Sequence, residues 1–541
     1  MIILGIHVSF NGFSHDSSAC IIKNKKLIAA AEEERFNRVK SSQLFFPHKS
    51  IKFTLEKAKI KIRNVDLLSV DGSTFKPMKF KIKKIMNYYF GYCPKIEIVE
   101  HPISHSYGSF ISSGFKKALV VSVDGVGDGT STMLSIFEKK NKKIKRKQIY
   151  KDARDKSLGD FYGIFTNYLG FRLNEGEYKV MGMAALGKPL YNMNKLLYFN
   201  SNLQKVKSNI SKILSLKNLT NTNEPIYNSK KIRRMFNVSK RLPSTKFKQE
   251  HFNLAASVQL QFTKVYVDLV KHFANKYKIE YLCLSGGCAL NSLANQNFLD
   301  GTFKKVYVMP AASDRGLSIG NAMYSAAKYN RIVNPLRNMF LGPSYSNNSI
   351  NKILKQLRIK NNKIKNCHSD CAAEIKKGKI IGWFQGRSEF GPRALGSRSI
   401  IANPKIKNIR SILNLKIKNR ESYRPFAPSI LNEDFKLKNI TNDQLEFMTF
   451  SLFLDDHKVK QLKEAVHYDN SSRVHVVNKK NNKNFYELLR YVKKEIGIGC
   501  VINTSFNLNN EPIVNSPTDA IKTFFGSGID ILYIGNYKII K

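Results

Sequence analysis

Residues 382–396, GWFQGRSEFGPRALG, restrict what this chain can be more than any other stretch. They gather the lone Trp, four glycines, a proline and two arginines, where the rest of the sequence is dominated by Lys, Asn and Ile. Glycine lets the backbone come close to a bound group. Arginine offers a planar fork suited to phosphate or carboxylate. The segment therefore reads as an anion-binding loop, and the chemistry depends on which anion it holds.

At 541 residues the chain is too long for one core, so about two to four domains are expected. Hydrophobic content of 42% with 11% aromatic residues indicates globular folding. No run of eighteen apolar residues suggests a membrane span. The start, MIILGIHVSFNG, lacks a basic leader region and reads as a first strand, not a signal peptide. The seven cysteines are scattered without a CxxC pair, which suits a reducing cytoplasm and argues against a zinc ribbon. Lys+Arg 90 against Asp+Glu 40 gives +50. That charge points to nucleic acid or an anionic surface only if it is gathered. Here it is dispersed, which reads as compositional drift over solvated faces. The densest run, KKNKKIKRKQ at 139–148, reads as a solvated hairpin.

Along the chain, residues 1–34 read as three strands separated by NGFSHD and NKK, and residues 117–138 as two apolar runs around a Gly/Asp turn. Residues 253–277 carry Leu254, Val258, Phe262, Val265, Leu269 and Phe273 at helical spacing. Residues 281–285 read as a buried strand, 306–309 as another, and 200–248 as a peripheral insertion. A linker is expected at 335–349, with the main boundary near residue 342. Beyond it KIIGWF, CVINTSF and ILYIGNYKII read as strands, and NFYELLRYVKKE as a helix.

Three constellations could carry chemistry. The hairpin from Asp124 to Thr130 can wrap amides around a phosphate while its carboxylates hold a metal. Such turns are common, and this one gains weight from a second Gly-rich strand end, Ser285-Gly286-Gly287. His101 and His105, four apart, share one face of a helix. With Asp124 and Asp314 they suit iron, manganese or zinc, although a bare HxxxH pair is also compatible with surface or capping histidines. His15, in a turn, could act as a general acid or base, or do nothing. The third is an anion site: Arg387, Arg393 and Arg398, then Lys418, Arg420, Arg424 and Arg473, then Asn503-Thr-Ser-Phe-Asn507.

At these residues the sequence resembles the O-carbamoyltransferase family of the nodulation-protein U and cephamycin-biosynthesis type. The matching stretches, in order, are HDSSACIIKNKKLIAAAEEERFNRVK, HPISHSYGSF, SVDGVGDG, GEYKVMGMAALGKP, LSGGCALN, PAASDRG, the GPRALG loop, YRPFAPS and INTSFNLNNEPIV. The resemblance implies an α/β and α+β chain of two domains. Residues 1–342 would be an ASKHA-fold (actin/Hsp70-like, duplicated) ATP- and metal-binding transfer domain, and residues 343–541 a YrdC-like domain that binds carbamoyl phosphate.

In such a family, carbamoyl phosphate is cleaved in the C-terminal domain. The carbamate reacts with ATP to give carbamoyl adenylate, and an acceptor hydroxyl takes the carbamoyl group. By motif position, His101, His105, Asp124 and Asp314 resemble the metal set, with iron implied by the family and manganese or zinc also compatible. His15 and Arg393 resemble the catalytic residues. Arg393, Lys418, Arg424, Arg473, Ser505 and Asn507 resemble the carbamoyl phosphate grip. Gly127, Asp128, Gly286, Gly287 and Asn291 are the expected nucleotide contacts, with Lys40 reaching substrate phosphates. Pro102 stands where the family often has an adjacent histidine, which leaves the HxxxH pair intact.

The expectation is a cytoplasmic enzyme acting on a sugar, oligosaccharide or nucleotide-sugar acceptor, with neither membrane nor nucleic acid as partner. A threonylcarbamoyl transferase for tRNA and a non-catalytic RNA-binding protein are the alternatives.

Overall fold

The computed structural model describes residues 1–10, 15–214, 227–437 and 440–541. Part of the first expected turn (11–14) and part of the 200–248 insertion (215–226) lie outside the described residues. The chain forms two compact units. One comprises Met1–Leu68, Met86–Lys95 and Leu336–Lys541, and the other Ser69–Ile85 and Ile96–Pro335. Both are mixed α/β, in keeping with the class that the family resemblance implies.

In the first unit the initial apolar runs form an antiparallel meander, Ile2–His7, Ser18–Lys23 and Lys26–Glu32. These strands are buried along almost their whole length, so they read as continuous apolar runs and not as alternation. The same unit contains an eight-stranded mixed sheet, with Ile381–Phe384, Arg398–Ala402 and Cys500–Ser505 among its neighbouring strands.

The twofold period of those strands divides their side chains between two cores. Ile380, Phe384, Ile400 and Ile502 face the helix Pro517–Phe525 through Ile521 and Phe524. Ile381, Trp383, Ile401 and Val501 face the helix Lys483–Ile496 through Phe485, Leu488 and Val492. The loop between Phe384 and Arg398 thus springs from two paired strands with both faces covered. Arg398 is fully buried, 3.6 Å over the Phe384 ring, and donates to the carbonyls of Pro343, Gln385, Gly386 and Ser397. Glu389 Oε1 accepts from the amides of Leu395, Ser397 and Arg398, which closes the loop.

The second unit is built on a five-stranded sheet. Lys117–Gly127, Thr130–Lys140 and Lys143–Ala153 are antiparallel, and Tyr281–Ser285 and Lys305–Val308 continue parallel beside the first of them. The basic run 139–148 is the exposed hairpin and edge strand of this sheet. Lysines there oppose edge-to-edge pairing with another chain, a use for the charge that needs no polyanion. The helix Gln249–Tyr277 buries the predicted stripe Leu254, Val258, Phe262, Val265, Leu269 and Phe273. Each such side chain is worth about 1.5–3 kcal/mol of burial. The helix His101–Ser113 packs on Leu317–Lys328 so closely that a Cβ at Gly320 would lie 2.2 Å from the Ser104 carbonyl oxygen.

In the first unit His475 is buried beside Ser429, whose Oγ lies 2.8 Å from its Nδ1. Burial pushes the His475 pKa down to about 3. An unfolded histidine takes up its proton near pH 6.5. Between these values the unfolded chain binds a proton that the folded chain refuses, so stability falls as pH falls, by roughly 1.4 kcal/mol per pH unit. Above pH 6.5 this contribution is complete. Urea titrations at pH 6.5 and 5 are expected to show a drop about 2 kcal/mol larger in the wild type than in His475→Gln. Equal drops would show that His475 does not drive the acid limb.

Candidate functional site

The expected site residues fall into two groups, one in each unit. In the second unit the helix His101–Ser113 begins at His101, and Pro102 lies in its first turn, where no intrahelical donor is needed. The His101 amide donates to Asp128 Oδ2 at 2.8 Å. Asp128 also accepts from the amides of Ser73 and Thr74 (3.0 Å each) and from Thr74 Oγ1 (2.7 Å). Burial alone would raise its pKa, but these donors hold it below the usual carboxylate range. Its carboxylate is thereby committed to holding the loop and the helix start.

One helical turn then sets His101 and His105 side by side, with their Nε2 atoms 3.2 Å apart. Asp124 Oδ2 lies 3.6 Å from His101 Nε2 and 3.1 Å from His105 Nε2. Asp314 Oδ1 lies 3.5 and 3.7 Å from the same two atoms. One ligand atom from each of the four residues falls within 4.8 Å of the others. Burial alone would depress the His101 pKa, but Asp314, Asp124 and Asp71 hold it well above its ordinary value. Asp124 is held well below the carboxylate range despite its burial, through the two imidazoles.

This focus of two nitrogens and two oxygens calls for positive charge. Asp124 Oδ2 is buried and, apart from the two imidazoles it faces, has no well-aligned hydrogen-bond donor among the described residues. A divalent cation fits those four donors, and mixed imidazole and carboxylate ligation suits iron, manganese or zinc.

Sequence reasoning missed Asp71. Its Oδ2 lies 3.6 Å from His101 Nδ1, and its Oδ1 accepts from Asn321 Nδ2 at 2.9 Å. A carboxylate behind an imidazole fixes the ring and raises its basicity as a ligand. The available signal was a repeat: Ser-Val-Asp-Gly occurs at 69–72 and again at 122–125. Asp71→Asn is expected to weaken metal affinity about 10- to 100-fold while the protein stays folded. A competition titration against a chromophoric chelator measures this, and an unchanged affinity would remove Asp71 from the site.

Two glycines let the surrounding loops close. A Cβ at Gly127 would stand 2.1 Å from the His101 ring. Gly286 has φ +84°, and a Cβ there would meet the Val123 carbonyl at 2.2 Å. Gly287 borders Asp124 Oδ1, so the three glycines stand against His101, Val123 and Asp124 respectively. Asn291 instead caps the next turn through Ala294 N (3.0 Å) and pairs reciprocally with the Gln259 amide at 3.0 and 3.1 Å.

The first unit holds the anion group. Lys418 Nζ donates to the carbonyl and side-chain oxygens of both Ser505 and Asn507, including Asn507 O at 2.9 Å and Oδ1 at 2.8 Å. Ser505 Oγ and Asn507 Oδ1 are 2.7 Å apart. Burial, then Arg420, Arg424 and Lys40, push the Lys418 pKa well down. Burial, then Arg393, Arg420 and Arg424, do the same to Arg473, whose Nε is buried with no hydrogen-bond partner among the described residues. The expected Arg393, Lys418, Arg424, Arg473 and Lys40 thus share one field, to which Arg420 also contributes. His15 lies in this unit too. Its Nδ1 is 3.2 Å from Asp16 Oδ2, and the Asp16 amide (φ +65°) donates to Ser41 O at 2.6 Å, next to Lys40.

Two carbamoyltransferase family descriptions match the chain. Carbamoyltransferase N-terminus covers residues 2–83 and 74–323, and Carbamoyltransferase C-terminus covers residues 372–541. The chain therefore belongs to the carbamoyltransferase family and has its two-part α/β architecture. It is 32% identical to the nodulation protein NolNO of Sinorhizobium fredii over 98% of this chain and 80% of that protein. It is 29% identical to a 3'-hydroxymethylcephem-O-carbamoyltransferase of Amycolatopsis lactamdurans, over 47% of this chain and 48% of that enzyme. Among solved structures, full-length HypF in its phosphate- and nucleotide-bound form covers 61% of this chain and 55% of its own at 14% identity, with a TM-score of 0.34. Among the described residues, no helix is long and apolar enough to cross a membrane.

Proposed function

We propose that the protein is an ATP- and metal-dependent O-carbamoyltransferase. In this reading residues 343–541 bind and split carbamoyl phosphate, and residues 1–342 activate the carbamate and transfer it to a hydroxyl of a sugar-containing acceptor. The atoms balance in three steps. Carbamoyl phosphate and water give carbamate and phosphate. Carbamate and ATP give carbamoyl adenylate and pyrophosphate. The adenylate and an alcohol give the O-carbamoyl product, AMP and a proton.

The observation that carries this reading is the buried Nε of Arg473, which has no hydrogen-bond partner among the described residues and lies in the field of Arg393, Arg420 and Arg424, while Arg420 and Arg424 also act on Lys418. Such mutual repulsion is relieved by a small, multiply charged anion. Arg393 and Arg473 grip its phosphate, and Lys418 fixes the Ser505–Asn507 turn beneath it. His101, His105, Asp124 and Asp314 would hold a divalent cation, which would offset charge on the nucleotide phosphates. The glycine loops at 127 and 286–287 admit those phosphates. His15, oriented by Asp16, takes the proton from the attacking hydroxyl.

The test is product analysis with carbamoyl phosphate and ATP supplied and acceptor withheld. Phosphate is expected to form from carbamoyl phosphate, and pyrophosphate from ATP only when carbamoyl phosphate is also present. Pyrophosphate release that is indifferent to carbamoyl phosphate would overturn the proposal.

A further inference from the structure

Glu32 and Arg35 in the first unit are 1% and 3% exposed, although both have ionisable side chains. Arg35 Nη2 lies 3.2 Å from Glu32 Oε1, and Nε lies 3.4 Å from Oε2. Burying such a pair brings little net stability by itself, because desolvation offsets the attraction. What the two share is a third group. The Gly391 amide donates to Glu32 Oε1 at 2.7 Å, and the Gly391 carbonyl accepts from Arg35 Nη2 at 2.8 Å. Gly391 has φ +116°, a conformation that side chains rarely adopt. The ion pair therefore holds both backbone polar groups of one residue, two residues before Arg393.

Three residues after Arg35, Arg38 does the same for the other side of the anion group. Its Nη1 donates to Ile513 O at 2.7 Å and its Nη2 to Pro512 O at 2.8 Å, while Nε lies 3.7 Å from Asp519 Oδ1. Those carbonyls follow directly on Glu511, whose own carbonyl accepts from Asn507 Nδ2 at 2.6 Å. A single turn of helix, Glu34–Asn37, therefore separates a grip on the Arg393 loop from a grip on the Asn507 loop. Lys40 follows two residues later. A guanidinium bridging two carbonyls uses the fork geometry that an ammonium lacks.

We infer that Glu32, Arg35 and Arg38 are positioning residues for a bound phosphate group. They set where the Arg393 and Asn507 loops stand without touching the anion themselves. This rests on the reading of that group of residues as the carbamoyl phosphate pocket.

The experiment uses the full chain and the variants Arg35→Lys and Arg38→Lys, which keep the charge and lose the fork, together with Glu32→Gln. Calorimetric titration with inorganic phosphate gives a Kd, and steady-state assays give KM for carbamoyl phosphate, KM for ATP and kcat. Each lysine variant is expected to raise the phosphate Kd and the carbamoyl phosphate KM about tenfold or more, with KM for ATP and kcat close to wild type. Glu32→Gln keeps an acceptor for the Gly391 amide and should fall between. If Arg35→Lys does not fold, the half-exposed Arg38→Lys decides.

A wild type that binds phosphate, with lysine variants that bind it equally, would overturn the inference alone. A fall in kcat with no change in either KM would also overturn it, since that pattern marks a merely structural role. A wild type that binds neither phosphate nor carbamoyl phosphate would overturn the reading of the pocket on which the inference stands.

Discussion

His101→Ala is expected to remove bound metal and, with it, carbamoyl-dependent pyrophosphate release. His101 contributes one of two imidazole nitrogens 3.2 Å apart and stands within 3.6 Å of both Asp124 and Asp314. Its loss leaves two carboxylates facing one imidazole with nothing to balance them. Outer partners of a metal ligand are worth about 10- to 100-fold in affinity, so loss of a ligand itself should exceed about a hundredfold. The backbone contact through the His101 amide survives the substitution, because Asp128 receives the N–H and not the ring. The helix should therefore still start where it does, and circular dichroism should match the wild type. Metal analysis of the purified chains, paired with pyrophosphate release, measures the effect. Full metal content with normal release in the variant would exclude the four-residue focus as the cation site.

Arg473→Met is expected to move stability and function in opposite directions. Arg473 sits in the field of Arg393, Arg420 and Arg424, and its Nε has no hydrogen-bond partner among the described residues. Arg473 is partly buried, and replacing its poorly compensated charge by an apolar side chain of similar length should leave the ligand-free fold no less stable. The ligand-free melting temperature should therefore hold or rise. In the proposed pocket the same change also removes a charge–charge contact to the phosphate, worth about 2–5 kcal/mol. That corresponds to a rise in KM for carbamoyl phosphate of roughly 30-fold to several thousandfold. Phosphate is expected to stabilise the wild type by an amount that grows with the logarithm of its concentration over Kd, and not to stabilise the variant. A variant that melts lower and still gains the wild-type increment from phosphate would show that Arg473 serves the fold and not the anion.

Much of the site was readable because its residues are close together in sequence. His101 and His105 are one helical turn apart, and the period alone places their rings together. Asp124 and Gly127 share one hairpin. The buried stripe from Leu254 to Phe273 and the Ile381–Phe384 strand follow from periodicity in the same way. The occupation of side chains was not readable. Asp128 and Asn291 carry the right groups for a nucleotide, but Ser73, Thr74 and the His101 amide claim the first and Gln259 the second. Asp71 escaped notice because it stands behind His101 through a strand thirty residues earlier, and only a repeated tetrapeptide hinted at it. Glu32, Arg35 and Arg38 belong to a run that reads as a plain charged stretch, with nothing local to say that its charges are buried.

The amino-acid sequence by itself determined the strand and helix periods, the imidazole pair, the glycines where chain segments must nearly touch, and the family. Only the tertiary structure decided which distant segments cohere. Arg35 meets the Gly391 carbonyl across 356 residues of chain, and the first 68 residues share a compact unit with residues 336–541. The physical reason is that local spacing fixes where a side chain points on its own element, whereas the partner that pairs a buried charge is selected by the packing of the whole unit.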